Sequence, residues 1–351
     1  RRQKRKCTRE RLFEENLHFN SFSIMTYNLE NLFDIKHDIG KKDWTYLPLR
    51  EKQKNPQVKA YCNALRNEHY KKSCLTLNWS QSVLDKKMRN LAEVLKSYRK
   101  GEAADVLVFQ EVENKLVLKE LFDKYMQGSG HDYFTLIEGK DARGIDTAVV
   151  SRYPILDSKT HRVGLKPYSD RETRPILEVL LKVEHRHVTV FSNHWPSQGN
   201  VDEARMLVGH KLKNLALKSK SDLVIATGDF NTVSDDLLNA LTTHILPIFE
   251  DVEVKGRHFS HVQAQGTHWY RGSWESLDKI FVLKESLSKN SIRVNYASYD
   301  IIKKPFMVKD LIWTDYETGL EELSLDVPRR FNVKTGEGYS DHLPVVVEFD
   351  L

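Results

Sequence analysis

The apolar residues of this chain fall into short runs rich in Val, Ile and Phe, separated by longer polar stretches. Runs of this length and composition predict buried β-strands. The eight predicted strands are Phe22 to Tyr27, Val106 to Gln110, Asp146 to Ser151, Ile176 to Val183, Val188 to Ser192, Leu223 to Thr227, Lys279 to Leu283 and Val345 to Phe349.

Helical periodicity appears between several of these runs. From Leu84 to Tyr98 apolar residues recur three or four positions apart, and Gly101 follows as a stop signal. Weaker periodicity predicts helices over Lys115 to Met126 and Asp202 to Leu217. Because no internal repeat or low-complexity linker interrupts this pattern, we expect one domain over residues 21–351.

Two segments, 36–78 and 300–338, are polar, contain proline and show little periodicity. They are predicted to be long surface insertions around the working face of the domain. Ahead of the domain, residues 1–20 are expected to form a basic tail. This tail is either a solvated, disordered segment or an arm that binds phosphate.

Charge excludes little about the partners of this protein. The chain has 54 Lys and Arg against 49 Asp and Glu, a net charge of +5, and six of its first nine residues are basic. The six basic residues of the tail alone outnumber the net charge of +5, so net charge is no argument for a nucleic-acid partner. The sequence contains no run of 18 apolar residues, so no transmembrane helix is predicted. Since the chain begins with Arg rather than Met, an export signal would be invisible, and the compartment stays open.

Three cysteines, Cys7, Cys62 and Cys74, are too few for a disulfide scaffold and lack the C-x-x-C spacing of a metal or redox motif. Chance occurrence is the default interpretation of these three residues. The alternative is a surface disulfide between Cys62 and Cys74 that closes the polar loop of an exported protein.

The most informative feature is a polar side chain at an end of nearly every predicted strand. These residues are Asn28, Glu30, Glu111, Asn193, His194, Asp229, Asn231, Asp278, Asp341 and His342. A single Asp, Asn or His in such a place usually starts a turn or makes a local hydrogen bond. So many together predict that the strand ends converge on one rim and form a site.

The residue types indicate the chemistry of that site. Carboxylates and amides without a cysteine or histidine cluster favour a hard cation, Mg²⁺ or Mn²⁺ rather than Zn²⁺. Such an ion neutralises a phosphate and stabilises a leaving oxygen. The dipeptide Asp341-His342 and the separate Asp278 provide carboxylates that orient imidazoles, and a histidine beside a carboxylate can deprotonate water at neutral pH.

Seven pieces of the sequence resemble the endonuclease/exonuclease/phosphatase superfamily, which includes DNase I, in the order that the family has them. They are TYNLEN (26–31), FQEVEN (109–114), TRPILEV (173–179), SNHWPS (192–197), GDFN (228–231), SLDKIFV (276–282) and GYSDHLPVVVEF (338–349). The resemblance extends from about residue 22 to the C-terminus. It implies an α+β fold, a four-layer αββα sandwich of two mainly antiparallel sheets flanked by helices.

The resemblance also implies a role for each matching position. The implied metal ligands are Glu111, Asn28 and Asp341, and Asn28 also contacts the substrate phosphate. The implied catalytic roles are Asp229 orienting or activating water, Asn231 holding a phosphoryl oxygen, His342 backed by Asp341 as general base, and His194 paired with Asp278 as a donor to the phosphate. Arg174 matches a phosphate-binding arginine, with a buried salt bridge as an equal alternative.

Substrate is not implied so directly, because it depends on the loops of the site. Our leading expectation is a monomeric phosphodiesterase or endonuclease that acts on nucleic acid with little sequence specificity. The opening pieces and the loop 266–278 look most like bacterial, often exported members, and Thr267, Tyr270 and Arg271 of that loop either reach a phosphate or simply form a hairpin. The alternatives are an inositol phosphate phosphatase, disfavoured by Leu277 where that branch has cysteine, a sphingomyelinase-like phospholipase, and a non-catalytic binding module.

Overall fold

The computed structural model describes residues 21–351 except 100, 171, 290 and 316. β-Strands form the centre of this part of the chain. The predicted basic tail, 1–20, lies outside these residues. In chain order the strands are β1 (Ser21–Leu32), β2 (Val106–Val112), β3 (Tyr133–Leu136), β4 (Asp146–Ser151), β5 (Ile155–His161), β6 (Ile176–Val183), β7 (Arg186–His194), β8 (Leu223–Asp229), β9 (Phe249–Asp251), β10 (His268–Tyr270), β11 (Ser273–Glu275), β12 (Asp278–Leu283), β13 (Arg293–Ile301), β14 (Val308–Thr314), β15 (Glu321–Pro328) and β16 (Val345–Asp350).

Eight α-helices lie in the same residues. They are α1 (Leu49–Lys54), α2 (Pro56–Ala64), α3 (Glu68–Thr76), α4 (Gln81–Lys96), α5 (Lys115–Tyr125), α6 (Asp202–Ala216), α7 (Val252–Phe259) and α8 (Lys284–Lys289). Short 3₁₀ turns cover Trp44–Tyr46 and Pro305–Met307, and a π-turn covers Leu241–Ile245. No helix of the described residues has the length and apolarity needed to cross a bilayer.

Two six-stranded sheets carry the fold, in the orders β13-β16-β1-β2-β4-β3 and β5-β6-β7-β8-β12-β9. Most neighbours are antiparallel, but β1 with β2 and β7 with β8 are parallel. Strands of the two sheets pack face to face, with β1 against β8 and β12 and with β2 against β7 and β8. One apolar core fills the interface and buries the inner faces of both sheets. Helices bury the outer faces, so β1 and β8 are buried on both sides.

Helices cover the outer faces of both sheets. The apolar stripe of α4, including Leu84 and Leu91, packs with the first sheet. On the second sheet, Val208 and Leu212 of α6 pack with Phe191. The expected αββα sandwich with mainly antiparallel sheets is therefore confirmed. All eight predicted strands and all three predicted helices are present, with ends that differ by a few residues.

The segment 36–78 is more ordered than the sequence pattern suggests, because it contains α1, α2 and α3. The side chains of Asn55 and Asn67 cap α2 and α3 by accepting backbone N–H bonds. A disulfide joins Cys62 to Cys74, so the structure has the alternative pairing rather than a chance occurrence of these two cysteines. The bridge cross-links a small apolar cluster of this segment, which also contains Leu47 and Val58.

Candidate active site

The two sheets bring their polar strand ends together at one rim. Sheet register places Asp229 beside His194 of β7 on one side and beside Asp278 of β12 on the other. From the first sheet, the amide nitrogen of Asn28 donates to Asp229 Oδ2 over 3.2 Å, although the two residues are 201 positions apart. The convergence that the sequence predicts is thus present in the structure.

The end of β8 and the turn that follows it depend on two residues with positive φ, Gly228 and Asn231. Gly228 has a φ of +133°, and a Cβ there would lie 2.1 Å from the carbonyl oxygen of Asn193. Only glycine allows β8 to approach β7 this closely. Asn231 has a φ of 47°, and its backbone N–H donates to Asp229 Oδ1 over 3.0 Å. The turn therefore holds one oxygen of the Asp229 carboxylate in place.

A β-bulge aims Glu111 into the rim. Its φ is 63°, and the register of β2 against β4 shifts between Gln110 and Val112. The Oε2 atom of Glu111 accepts from the backbone N–H of Asn31, while Oε1 lies 3.9 Å from Nε2 of His194. Bulges re-aim side chains beside active sites, and left-handed non-glycine residues cost about 1–3 kcal/mol unless the surroundings impose them. Glu30 and Asn31 are left-handed too, so this strain is concentrated at the rim.

His342 forms the shortest hydrogen bond of the site, from Nδ1 to Asp278 Oδ2 over 2.6 Å. This corrects the expected pairings, in which Asp341 backs His342 and Asp278 backs His194. The reason is tertiary, since Asp278 begins β12 of the second sheet and its side chain crosses to the segment that precedes β16. Asp341 instead lies on the other side of the ring, with Oδ1 3.9 Å from Nε2 of His342.

The backbone around His342 is held by its own hydrogen bonds. Its N–H donates to Ser340 Oγ over 3.1 Å, and that hydroxyl donates to the carbonyl of Asn28 over 2.7 Å. Thr267 Oγ1 accepts from the N–H of Asp278 over 3.1 Å, so this hydroxyl supports the site from within the loop 266–278. The phosphate contact considered for Thr267 is therefore replaced by a structural role.

The two imidazoles are in opposite electrostatic situations. Burial lowers the pKa of His194 well below its usual range, and the Arg174 guanidinium adds to the effect. For His342 burial also opposes the charged form, but the Asp278 carboxylate outweighs it and raises the pKa well above the usual range. Burial raises the pKa of Asp229 to about 7, against the lowering effect of His342. Environments that push pKa values apart assign acid and base roles.

His194 faces the space between two carboxylates. Its Nε2 lies 3.6 Å from Asp229 Oδ2 and 3.9 Å from Glu111 Oε1, distances longer than hydrogen bonds. Its Nδ1 is buried and finds no hydrogen-bond partner among the described residues. A neutral imidazole there has its outer nitrogen directed at the centre of the site.

Arg174 matches the structural alternative better than the phosphate contact. Its guanidinium donates to the carbonyls of His194 and Trp195 over 3.1 and 2.7 Å, and it lies 3.6 Å from Asp141. These contacts hold the chain as it leaves β7. Asn231 supports the same segment, because its side-chain amide donates to the Trp195 carbonyl over 3.2 Å.

Sequence reasoning missed three residues of the rim. Arg330 donates to Glu30 Oε1 over 2.7 Å and lies 3.2 Å from Asp341 Oδ2. The ring of His268 lies 4.6 Å from that of His342, centroid to centroid. Lys87 is buried and donates to the carbonyl of Glu30. Only Lys87 gave a signal in the sequence, as a charge on the apolar stripe of α4.

The donor set suits a hard divalent cation. Glu30, Glu111 and Asp341 line one cleft of about 870 Å³. Their charges are crowded, since the pKa of Glu30 is raised by burial and then by the Asp341 carboxylate. Oxygen ligands are what Mg²⁺ or Mn²⁺ requires. Glu111 and Asp341, with the Asn28 amide behind them, are the residues that would hold it.

Comparison with known proteins agrees with this geometry. The family model described as Endonuclease/Exonuclease/phosphatase family matches residues 62–350. Similar solved structures include humanized Danio rerio TDP2 (TM-score 0.54, 14% identity, covering 95% of this chain and 100% of that chain) and the endonuclease/exonuclease/phosphatase from Bacteroides vulgatus (0.53, 16%, 94% and 99%). The mannosyl-6-phosphatase of Bacteroides thetaiotaomicron is also similar (0.50, 16%, 94% and 100%).

At such identities the structural likeness shows the fold alone, and a search of curated proteins by sequence finds no match. The family match spans most of the described chain and includes Glu111, Asp229 and His342. The chain belongs to the endonuclease/exonuclease/phosphatase family, whose members are phosphoesterase hydrolases.

Proposed function

We propose that this protein hydrolyses a phosphodiester of nucleic acid with the help of Mg²⁺ or Mn²⁺ bound at Glu111, Asp341 and Asn28. The observation that carries the proposal is the buried His342–Asp278 pair, which stands beside Asp229 at the rim of the cleft that Glu111 and Asp341 line. A divalent cation supplies positive charge to the phosphate and to the leaving oxygen. Side chains of the protein are proposed to activate the water and to donate hydrogen bonds to the phosphate.

Asp229 is the residue proposed to activate water. A general base works best when its pKa lies near the working pH, and burial raises the pKa of Asp229 to about 7. The N–H of Asn231 and the amide of Asn28 each bond one of its oxygens, which fixes its direction. The proton of the attacking water passes to this carboxylate.

His342 is proposed to act as a charged donor rather than as the base expected from the sequence. The Asp278 carboxylate favours the imidazolium, so Nε2 carries a proton that it can donate to a phosphoryl oxygen. His194, kept neutral by burial, directs Nε2 at the same space from the opposite sheet. Both donors are in place before the phosphate arrives, so little reorganisation is needed.

Nucleic acid is favoured by a second recess that adjoins the cleft. It measures about 860 Å³ and shares Arg330 and Asp341 with the cleft. Its lining is aromatic and basic: Tyr70, Trp269, Tyr270, Trp313, Arg271 and Lys309. Aromatic faces stack on bases and basic side chains contact phosphates in proteins that bind single strands. A similar solved structure, Danio rerio TDP2, is described as complexed with a single-strand DNA product.

A sugar phosphate is the second candidate, and one observation favours it. The helices of the segment 36–78 close one side of the cleft, because Tyr61, His69 and Tyr70 line it. A closed side suits a short substrate with a terminal phosphate. The similar structure from Bacteroides thetaiotaomicron is named a mannosyl-6-phosphatase.

One substrate panel separates these possibilities. The purified chain is incubated with Mg²⁺ or Mn²⁺ and single-stranded DNA, supercoiled DNA, RNA, bis-p-nitrophenyl phosphate, mannose 6-phosphate, inositol phosphates or sphingomyelin. We expect DNA or RNA to be cut, with binding that weakens steeply as salt rises. Glu111→Gln should lower turnover about 100-fold or more, which excludes a contaminating nuclease. Release of inorganic phosphate from mannose 6-phosphate alone would replace the nucleic-acid proposal with the second candidate.

We also propose that the protein works outside the cytoplasm, in an oxidising compartment. The Cys62–Cys74 disulfide supports this, because such bridges persist in secreted and periplasmic proteins and are rare where thiols are kept reduced. Thiol trapping of the protein in intact cells tests it. Recovery of both cysteines as free thiols would contradict it.

A further inference from the structure

We propose that His268, Asp341 and His342 form a binding site for Zn²⁺ or a similar transition-metal ion, and that its occupation switches the enzyme off. One ligand atom from each residue lies within 4.8 Å of the others. None of the roles assigned above uses His268. The claim about binding stands on this geometry alone, whereas the claim about inhibition rests on the proposed function.

The spacing of the ligands is close to that of a zinc site. Two ligands of a tetrahedral zinc ion lie roughly 3.4 Å apart when the bonds are about 2.1 Å long. Nε2 of His342 and Oδ1 of Asp341 are already 3.9 Å apart. With ligand atoms at most 4.8 Å apart, the third ligand needs a movement of up to about 1.4 Å, which a rotation of the His268 imidazole provides.

The backbone holds the three ligands in register. His268 and His342 face each other in an isolated antiparallel β-bridge, and the N–H of Leu343 donates to the carbonyl of Thr267 over 2.7 Å. The Thr267 hydroxyl accepts from the N–H of Asp278 over 3.1 Å. Ligands fixed in this way lose little freedom when an ion binds.

Neighbouring side chains already orient two of the ligands as a metal site requires. Nδ1 of His342 is bonded to the Asp278 carboxylate, so Nε2 is the nitrogen left for an ion, which binds it as its proton is released to solvent. This carboxylate–histidine arrangement is the usual partner of a metal-binding imidazole. Arg330 lies 3.2 Å from Oδ2 of Asp341, and Oδ1 of the same carboxylate faces His342.

The ligand set selects against the ion proposed for catalysis. Two imidazoles and one carboxylate suit Zn²⁺, Co²⁺ or Ni²⁺, whereas Mg²⁺ prefers oxygen ligands. Asp341 also lines the cleft, so a fourth position is open to water or to a phosphate oxygen. An ion on Nε2 of His342 removes the proton donor from the reaction, and inhibition follows.

Binding is tested on the full chain after treatment with EDTA, by calorimetric titration with Zn²⁺ in the presence of excess Mg²⁺. We expect one tight Zn²⁺ per chain. His268→Gln should weaken it at least tenfold, since even second-sphere partners of metal ligands contribute 10- to 100-fold. His258→Gln is the matched control, because His258 is an exposed histidine of α7 and its loss should change nothing.

Inhibition is measured with Mg²⁺ saturating. Wild type should lose activity at Zn²⁺ concentrations that leave His268→Gln working, and the His258→Gln variant should follow wild type. Equal Zn²⁺ affinity in wild type and His268→Gln would overturn the site, as would Zn²⁺ held by the surface pair His210 and His244. If the protein has no phosphoesterase activity, the proposed function fails while the titration still decides the site.

A variant that does not fold would leave the calorimetry without its comparison, so a second measurement uses wild type only. Titration of Zn²⁺ into the labelled protein should shift the imidazole resonances of both His268 and His342, with His258 unchanged. Resonances of His268 that stay in place at saturating Zn²⁺ contradict the proposal.

Discussion

Replacing Asp278 with Asn tests the electrostatic core of the proposed mechanism. The Asp278 side chain is fully buried, and the substitution removes its negative charge beside Nδ1 of His342, 2.6 Å away. A hydrogen bond to a charged group contributes about 1.5–3 kcal/mol. At 1.36 kcal/mol for each factor of ten, kcat should fall about 10- to 150-fold if the imidazolium acts only in the transition state.

The pH profile distinguishes this cause from a simple packing defect. Asp278 raises the pKa of His342, so wild type keeps the charged donor well above the ordinary range of histidine. In Asp278→Asn the pKa of His342 falls, and the alkaline limb of kcat should move to lower pH. The same sign applies to stability: the contribution of a raised pKa is complete below the unfolded value and is lost as pH rises through the folded value.

The assay is steady-state hydrolysis of the best substrate of the panel between pH 5 and about 10, with Mg²⁺ saturating. Asp157→Asn is the matched control, because it removes an exposed carboxylate of β5 far from the rim. Thermal unfolding shows whether each variant is folded. An Asp278→Asn enzyme with near-normal kcat and an unmoved alkaline limb would refute the role given to His342.

Three further predictions concern the scaffold. Removing the disulfide with Cys62→Ser should raise KM severalfold while kcat is kept, because the helices that line the cleft lose a cross-link worth about 3 kcal/mol; initial-rate kinetics check this. Burial raises the pKa of Asp146 to about 7, so stability should fall by up to about 4 kcal/mol as pH rises from about 4 through 7, and urea unfolding of Asp146→Asn should lack that slope. Gly228→Ala should destabilise the fold by about 3 kcal/mol in the same assay, since a Cβ meets the Asn193 carbonyl; a loss under 1 kcal/mol would show that β7 and β8 can separate.

Two insertions shape the cleft and the recess beside it. The segment 36–78 supplies one wall, and the β14–β15 hairpin supplies Lys309 and Trp313 to the adjoining recess. Both lie between strands of the sandwich rather than within them, so they can vary without disturbing the sheets. The walls of the cleft can therefore change while Asp229 and His342 keep their places at the rim.

Much of this protein was determined by local sequence pattern. Strands such as 106–110 and 223–227 are short apolar runs, and the periodicity from Leu84 to Tyr98 requires a helix with one buried face. The residues of the rim were visible because each stands at the end of such a strand. Oxygen-bearing side chains also indicated a hard cation before any contact was known.

Only the tertiary structure decided which of these side chains are partners. Asp278 begins β12 of the second sheet, whereas His342 lies just before β16 of the first, so their pairing depends on how the sheets stack. A chain neighbour such as Asp341 was the natural but wrong choice. His268 reaches the rim from the short β10–β11 hairpin and Arg330 from the loop after β15, and neither segment has a periodic pattern. The short helices of 36–78 depend on Asn caps and a disulfide, interactions that leave no hydrophobic pattern in the sequence. The hydrophobic pattern of a segment indicates which of its faces is buried. Contacts between distant segments depend on how those segments pack, and no single stretch of sequence specifies that.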